Sequence, residues 1–249
     1  MTRRRFGVAA IALALSALAA GCGGGSPDLR VSAAASLQSA FTAYGNSFHA
    51  AHATFSFAGS DELAAQIRQG AKPDVFASAN TALPDALYRQ GRVERPVRFA
   101  ANRLVLAVPA GGRLQSLAGA ERPGTKIAVG SPTVPIGAYT ATVLARLGPA
   151  AAAAIRANVR SREPDVAGIV AKLTQGAVDA GFVYVTDVRA AGGRLLAIRL
   201  PARAQPRVVY AAAVVRGSDH ASEARAFIAG LTSGAGRRAL LAAGFEPPR

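Results

Sequence analysis

The hydropathy pattern repeats one arrangement in the first third of the chain: an apolar strand runs into a serine, and a helical pattern follows. The two predicted units are a strand over 29–35 with Ser36 and a helix over 37–50, and a strand over 54–59 with Ser60 and a helix over 61–69. The helical segments repeat apolar residues every three to four positions, whereas the strands are nearly continuous apolar runs. A strand that leads directly into a helix is typical of parallel α/β sheets.

The same alternation continues to the end of the chain. Further strands are predicted over 74–79, 102–108, 126–130, 158–161, 180–185, 194–198 and 208–215, and further helices over 81–90, 137–147, 165–175, 222–231 and 236–243. This order predicts an α/β fold in which mostly parallel sheets are flanked by helices. About 220 residues follow residue 27, which is enough for a core divided between two lobes.

Two long apolar strands, near Leu104 and near Tyr210, are candidates for a hinge of two crossing strands between the lobes. In that arrangement the strand near Tyr210 carries the chain back to the first lobe. The alternative is that both are central strands of one large sheet. The length of the chain favours two lobes.

Ser36 and Ser60 each stand between the end of a strand and the start of a helix. A serine in that place can cap the helix by accepting a hydrogen bond from a first-turn N–H. If its hydroxyl is free, the O–H and the neighbouring N–H groups form an anion-binding corner at the positive end of the helix dipole. The carboxyl ends of neighbouring parallel strands face one crevice, so the pair of serines indicates a small-anion binder.

The N-terminus has the pattern of a secretory signal. Arg3, Arg4 and Arg5 precede an apolar run over 6–20, which is shorter than the roughly 20 residues of a membrane span. The one cysteine, Cys22, follows at a position that resembles the lipobox of bacterial lipoproteins. We predict a signal peptide over 1–21, lipidation of Cys22 and a flexible tether over 22–27. The alternative is a cysteine beside an ordinary cleavage site.

The formal net charge of +15 is strongly basic, and it can steer anions or a membrane surface toward the protein. The arginines are scattered along the chain, and no predicted helix carries a basic stripe with interleaved aromatic residues. The charge therefore does not indicate nucleic-acid binding.

The chain lacks the common patterns of catalytic chemistry. It contains no Gly-x-Ser-x-Gly elbow, Ser-x-x-Lys pair or P-loop, and its three histidines, His49, His52 and His220, do not form a zinc pattern. A serine hydrolase would need a general base beside Ser36 or Ser60, and the sequence nominates none. We expect a protein that is not an enzyme and needs no cofactor.

Several strings, in order along the chain, resemble the molybdate-binding proteins of ABC transporters. They are AAASL at 33–37, FAGS at 57–60, PDVFASA at 73–79, VPIGAY at 134–139, EPDV at 163–166, GFVY at 181–184 and GF at 244–245. The resemblance covers nearly the whole chain after the tether. It implies the two-lobe fold of type II periplasmic binding proteins, and it implies molybdate, and tungstate, as ligands held in the cleft between the lobes.

The resemblance also implies a set of ligand-binding residues. Ser36 and Ser60 match serines that donate their hydroxyls, Ile136 and Val166 match backbone N–H donors, and Tyr184 matches a phenol that completes the site. Ile136 departs from the alanine that is common in the family, but the role at that position is a main-chain one. Such a site holds molybdenum only as the oxyanion, because all of its groups are hydrogen-bond donors to oxygen.

The resemblance further implies a monomeric, extracytoplasmic protein that delivers its ligand to an ABC permease while a lipid anchor holds it at the membrane. The predicted lobe I comprises 28–105 and 209–249, and lobe II comprises 106–208. Three alternatives remain: a binding protein of the same fold for another small anion such as sulfate, an envelope serine hydrolase, and a lipoprotein interaction module.

Overall fold

The computed structural model describes residues 27–248. The predicted signal peptide over 1–21, Cys22 and all of the predicted tether except Pro27 lie outside the described residues. Within residues 27–248, no helix combines the length and the apolar character that a membrane span requires.

The described residues alternate strands and helices throughout. The strands are β1 (Asp28–Ala34), β2 (His52–Ala58), β3 (Val75–Ser78), β4 (Val97–Asn102), β5 (Leu104–Pro109), β6 (Ile127–Gly130), β7 (Val159–Glu163), β8 (Ala180–Tyr184), β9 (Leu195–Arg199) and β10 (Val208–Val214). The helices are α1 (Gln38–Gly45), α2 (Ser60–Arg68), α3 (Ala82–Arg89), α4 (Pro135–Leu147), α5 (Pro149–Ala157), α6 (Val166–Thr174), α7 (Val185–Ala190), α8 (Ala221–Thr232) and α9 (Gly234–Ala243). Short 3₁₀ helices lie at Ala35–Leu37, Leu117–Glu121 and Ala202–Ala204.

The strands of this part of the chain form two five-stranded sheets with one topology. The strand order is β2-β1-β3-β10-β4 in the first sheet and β7-β6-β8-β5-β9 in the second. In each, one strand, β10 or β5, runs antiparallel to both of its neighbours, and the other pairs are parallel. We call the first sheet with α1–α3, α8 and α9 lobe I, and the second with α4–α7 lobe II. The predicted two-lobe α/β fold with mixed, mostly parallel sheets is confirmed.

The chain passes between the lobes at Arg103, which separates β4 from β5, and it returns through residues 200–207 between β9 and β10. The strands near Leu104 and Tyr210 therefore lie in different sheets, and each is hydrogen bonded on both sides. The alternative of one large sheet is wrong. Each crossing directly precedes one of these two strands.

The sheets form the centre of each lobe, because strands covered by helices on both faces are apolar along their whole length. Every residue of β3, β8 and β10 is buried. In lobe I an aromatic cluster fixes α1 and α8 to each other, with ring centroids of Phe41 and Tyr44 at 5.5 and 4.6 Å from that of Phe227. This packing holds the start of α1 in place beside the carboxyl end of β1.

The structure differs from the predicted elements in a few places. The helix predicted over 37–50 ends at Gly45, where the Ser47 hydroxyl donates to the carbonyl of Tyr44 at 3.0 Å and so competes with helix continuation. The strand predicted over 102–108 is divided at Arg103 because the chain changes sheets there. Sequence patterns did not predict β4, α5 or α7.

Candidate functional site

The carboxyl ends of the parallel strands of both lobes face each other, and a helix begins at each. In lobe I, β1 leads into the 3₁₀ helix at Ala35–Leu37 and β2 into α2. In lobe II, β6, β7 and β8 lead into α4, α6 and α7. Ligands of open α/β sheets bind at such strand ends, where helix N-termini offer free N–H groups.

A small cavity of about 20 Å³ lies between these strand ends, so it has room for a ligand of only a few heavy atoms. Both lobes contribute to its wall. The five residues predicted from the sequence all line it: Ser36, Ser60, Ile136, Val166 and Tyr184. The tertiary structure thus brings together residues that are up to 148 positions apart in the chain, from 36 to 184.

Ser60 is the first residue of α2, and its side chain is 2% exposed. The hydroxyl makes no capping bond to its own helix, whose N-cap is Gly59. Instead its oxygen accepts a hydrogen bond from the backbone N–H of Ala79 at 3.2 Å. The capping interpretation of Ser60 is therefore wrong. Its O–H donates to no other described residue, so its hydrogen is available to a ligand.

Ser36 lies within the 3₁₀ helix that follows β1, and it makes no capping bond either. Its Oγ is 2.9 Å from the Oη of Tyr210, a contact in which either hydroxyl could donate. Both side chains are buried. The capping interpretation is thus also wrong for Ser36, and its hydroxyl is held by a side chain 174 positions away.

Ile136 and Val166 bring backbone N–H groups from lobe II. Ile136 follows Pro135 at the start of α4, and Val166 is the first residue of α6. The first N–H groups of a helix have no acceptor within it, and proline contributes no N–H. The buried Ile136 side chain packs over Gly130, where an added Cβ would lie 2.6 Å from its Cγ2. The departure from alanine at Ile136 is therefore accommodated inside lobe II.

Tyr184 ends β8, and only 1% of its side chain is exposed. Its Oη is buried and has no hydrogen-bond partner among the described residues. Burial raises the pKa of the phenol well above its usual value of 10, so the group keeps its hydrogen at neutral pH. A buried hydroxyl without a partner costs about 1–3 kcal/mol. A ligand oxygen in the cavity would remove that cost.

The charges around the cavity are few. Among the described residues, no Lys, Arg or His lines it. The one carboxylate in its wall, Asp165, accepts the N–H of Gly168 at 2.9 Å and so caps α6. Within residues 27–248, no group of three or more His, Cys, Asp or Glu side chains is placed to hold a metal ion. The cavity is thus built from neutral hydrogen-bond donors and helix N-termini.

Direct contacts join the two lobes around the cavity. The Tyr139 hydroxyl of α4 donates to the carbonyl of Ala79 at 3.4 Å. Asn102 Nδ2, at the end of β4, donates to Thr186 Oγ1 of α7 at 2.9 Å. The lobes also approach closely at Gly59, where a Cβ would lie 2.5 Å from the carbonyl oxygen of Pro164. The structure is therefore that of the closed cleft.

Asp187 is a residue that the sequence analysis missed. Its carboxylate accepts the backbone N–H of Tyr184 at 2.8 Å and so fixes the start of α7. Burial raises the pKa of this carboxyl from 3.8 to about 7; the Tyr184 N–H lowers it, and the nearby Asp165 raises it. The signal in the sequence was an acidic residue three positions after the last strand residue, which is the spacing of a capping box.

The raised pKa of Asp187 predicts a pH dependence of stability. The folded protein holds the proton of the Asp187 carboxyl more tightly than the unfolded chain does. The contribution of this proton to the free energy of unfolding is therefore complete below pH 3.8 and is lost as the pH rises through about 7. We expect Asp187→Asn to be more stable than the wild type at pH 8, by roughly a few kcal/mol, and similar at pH 4. Urea unfolding of both proteins from pH 4 to pH 8 measures the difference in their free energies of unfolding. A difference that does not change with pH would contradict the prediction.

Two lobes with matching sheets and a closed, donor-lined cavity between them define a two-lobe binding protein for a small ligand. The comparison with known families agrees with this class. The chain belongs to the family of bacterial extracellular solute-binding proteins, whose model matches residues 29–246.

Individual relatives are similar to this chain over most of their own length. The molybdate-binding protein ModA of Mycobacterium tuberculosis is 39% identical over 231 residues, which cover 90% of this chain and 86% of that protein. The ModA protein of Haemophilus influenzae is 29% identical over 204 residues, 77% of this chain and 78% of that protein. Among solved structures, the periplasmic molybdate-binding protein of Azotobacter vinelandii matches with a TM-score of 0.78 at 23% identity, covering 89% of this chain and all of that one.

Proposed function

We propose that this protein is the molybdate-binding component of an ABC importer and that it also binds tungstate. The oxyanion would lie in the cavity between the lobes, with hydroxyls of Ser36, Ser60 and Tyr184 and backbone N–H groups of Ile136 and Val166 as its donors. The observation that carries the proposal is the Tyr184 hydroxyl, which is buried without a partner in a cavity of neutral donors. The similarity to ModA proteins over nine-tenths of the chain supports the choice of oxyanion.

The chemistry of the ligand fits this donor set. A fully deprotonated tetrahedral oxyanion offers only acceptors, so a cavity of donors suits it. Several charge-assisted hydrogen bonds and the positive ends of two or more helices can replace its hydration without a cationic side chain. An anion that carries a proton would leave its own O–H unpaired, at a cost of about 1–3 kcal/mol.

Closure of the cleft follows from the distribution of the donors. Ser36 and Ser60 belong to lobe I, whereas Ile136, Val166 and Tyr184 belong to lobe II. A ligand that needs both sets stabilises only the closed arrangement. A permease in the membrane can then distinguish the loaded protein by its shape.

The same fold also holds other small anions, and the sulfate-binding protein SubI of Mycobacterium tuberculosis matches with a TM-score of 0.76 at 18% identity. Sulfate has the charge and shape of molybdate but is smaller, so it could not reach all donors of one rigid cavity at once. A serine hydrolase is disfavoured because the partners of the two serine oxygens are the N–H of Ala79 and the phenol of Tyr210, and neither is a general base.

The cellular setting is part of the proposal. Lipidation of Cys22 would hold the protein at the outer face of the cytoplasmic membrane, close to its permease, and the glycine-rich tether would let it turn toward that partner. We expect the binding unit to act as a monomer, because both halves of the site come from one chain.

A thermal-shift titration at fixed ionic strength tests the function. At one hundred times the dissociation constant, a ligand that binds only the folded state stabilises it by about 2.7 kcal/mol. We therefore expect molybdate and tungstate to raise the midpoint by several degrees, and sulfate and phosphate to have little effect at the same concentration. No shift with molybdate or tungstate would overturn the proposal. Elemental analysis of the purified protein for molybdenum and tungsten is an independent check.

A further inference from the structure

The amino-terminal ends of β1, β2 and β3 lie at the edge of lobe I opposite the cleft. β2 and β3 both run parallel to β1, and the cavity lies at their carboxyl ends. We call this edge, with the loop over 69–74 that leads into β3, the base of lobe I. Cys22 stands six positions before Asp28, the first residue of β1, and a chain of that length reaches at most about 20 Å. A lipid on Cys22 would therefore keep the base of lobe I close to the membrane.

A groove of about 390 Å³ opens at the base of lobe I. One wall is a face of the β1–β2 pair, where Arg30 lies beside Thr54, and Ser32 beside Ser56. Residues two apart on a strand point to the same face, so this cation and these hydroxyls share one surface. The loop between α2 and β3 contributes Lys72 to the lining of the groove.

The Ser32 side chain is 9% exposed, and its hydroxyl makes no hydrogen bond to another described residue. This buried hydroxyl lines the groove together with the two cations. A phosphate diester carries a negative charge and offers only acceptors, so hydroxyl and cationic donors suit it.

The carboxylates near the groove are occupied. Asp74 is fully buried, and its oxygens accept the backbone N–H of Arg30 and the hydroxyl of Ser218, both at 2.7 Å. It balances part of the Arg30 charge, with Nε at 3.7 Å from Oδ2. Asp28 pairs with His52, and neither lines the groove. Among the described residues, no carboxylate pairs with Lys72, so the groove keeps a positive charge.

Three exposed arginines extend the positive surface. Arg68 and Arg89 are the last residues of α2 and α3, and Arg92 follows α3. Both helices begin at the cleft edge, so their last turns lie at the base of lobe I. The Arg68 Nε donates to Gln90 Oε1 at 3.4 Å and so joins the two helix ends. Within residues 27–248, none of the three forms an ion pair.

We propose that the base of lobe I binds anionic phospholipid headgroups, with a headgroup phosphate in the groove between Arg30, Ser32 and Lys72. The inference goes beyond the proposed function, because the groove shares no residue with the cavity between the lobes. Each Lys or Arg near an anionic membrane strengthens binding by about fivefold, the equivalent of about 1 kcal/mol. A lipid on Cys22 limits only the distance to the membrane, whereas this surface also fixes which side of lobe I faces it.

The experiment uses the mature chain from residue 22 with Cys22→Ser, so that no attached lipid contributes to binding. All described helices and strands are retained in it. Sedimentation with vesicles of phosphatidylcholine, or of phosphatidylcholine mixed equally with phosphatidylglycerol, gives the partition coefficient. We expect binding to the anionic vesicles to be at least about tenfold stronger, and added salt to weaken it.

The variants separate the groove from the net charge. Arg30→Gln/Lys72→Gln should weaken binding to the anionic vesicles roughly tenfold or more, and Lys72→Gln alone by about fivefold if the double variant does not fold. Ser32→Ala should weaken it several-fold with no change of charge. The control is Arg160→Gln/Arg162→Gln, which removes two exposed arginines from β7 in lobe II and should bind as the wild type does.

Equal binding to both kinds of vesicle, or an equal loss in the lobe II control, would overturn the inference. Unchanged binding of Ser32→Ala would remove the phosphate from the groove. Calorimetry with glycerol phosphate and with polyphosphate covers other sources of phosphate, and binding of either without binding to vesicles would overturn the membrane role. Failure to bind molybdate or tungstate would overturn the proposed function and leave this inference standing.

Discussion

Tyr184→Phe is expected to weaken molybdate binding by about 10- to 150-fold, while the ligand-free protein keeps its stability. The substitution removes one hydrogen bond to a charged ligand, worth about 1.5–3 kcal/mol. The same hydroxyl makes no hydrogen bond to another described residue, so its removal takes no protein–protein hydrogen bond from the ligand-free protein. Isothermal calorimetry gives the affinity, and urea unfolding of the ligand-free proteins gives the stability.

The matched control is Tyr44→Phe. The Tyr44 hydroxyl is also buried, but it donates to the carbonyl of Phe227 at 3.2 Å, far from the cavity. This variant should lose about 1 kcal/mol of stability and bind molybdate as the wild type does. Tyr184→Phe should thus lose affinity and keep its stability, whereas Tyr44→Phe should lose stability and keep its affinity. Unchanged affinity in Tyr184→Phe would remove this phenol from the proposed site.

Gly59→Ala is expected to reduce molybdate affinity roughly tenfold or more by preventing complete closure of the cleft. The backbone of Gly59 has φ −60° and ψ 134°, which alanine adopts without strain. The obstacle is in the other lobe, since the new Cβ would lie 2.5 Å from the Pro164 carbonyl oxygen. The open, ligand-free protein should therefore fold and unfold normally, and small-angle scattering should show a smaller compaction on ligand addition than in the wild type.

Gly111→Ala serves as the control for this prediction. A Cβ at Gly111 would meet no heavy atom within 4 Å, and the position is remote from the cavity. That variant should match the wild type in affinity and in compaction. Full closure and full affinity in Gly59→Ala would show that the contact with Pro164 does not limit the closed state.

Two hydrogen bonds join the lobes beside the cavity. Asn102 Nδ2 donates to Thr186 Oγ1, and the Tyr139 hydroxyl donates to the carbonyl of Ala79. Opening of the cleft would break both of them. The closed arrangement therefore fixes the distance between the two donor sets.

Local sequence determined which residues could reach the site. Ser36 and Ser60 each follow an apolar strand pattern and precede a helical pattern, which places them at the carboxyl end of a strand. Such patterns are recognisable within a short window of sequence, so no distant residue is needed to predict them. Pro135 marks the start of α4 in the same local way, since its missing N–H is tolerated there. The α/β class, the two lobes and the five lining residues could be predicted for this reason and from the family resemblance.

Contacts between distant residues decided the rest. The capping interpretation of the serines failed because their oxygens are held by Ala79 and Tyr210, which lie 19 and 174 positions away. The raised pKa of Asp187 depends on burial, which no short segment encodes. β4 and β5 are separated by Arg103 alone, so only pairing with strands from elsewhere in the chain distinguishes the two sheets. Local patterns thus indicate which residues can donate, and long-range packing decides which of them meet in one cavity.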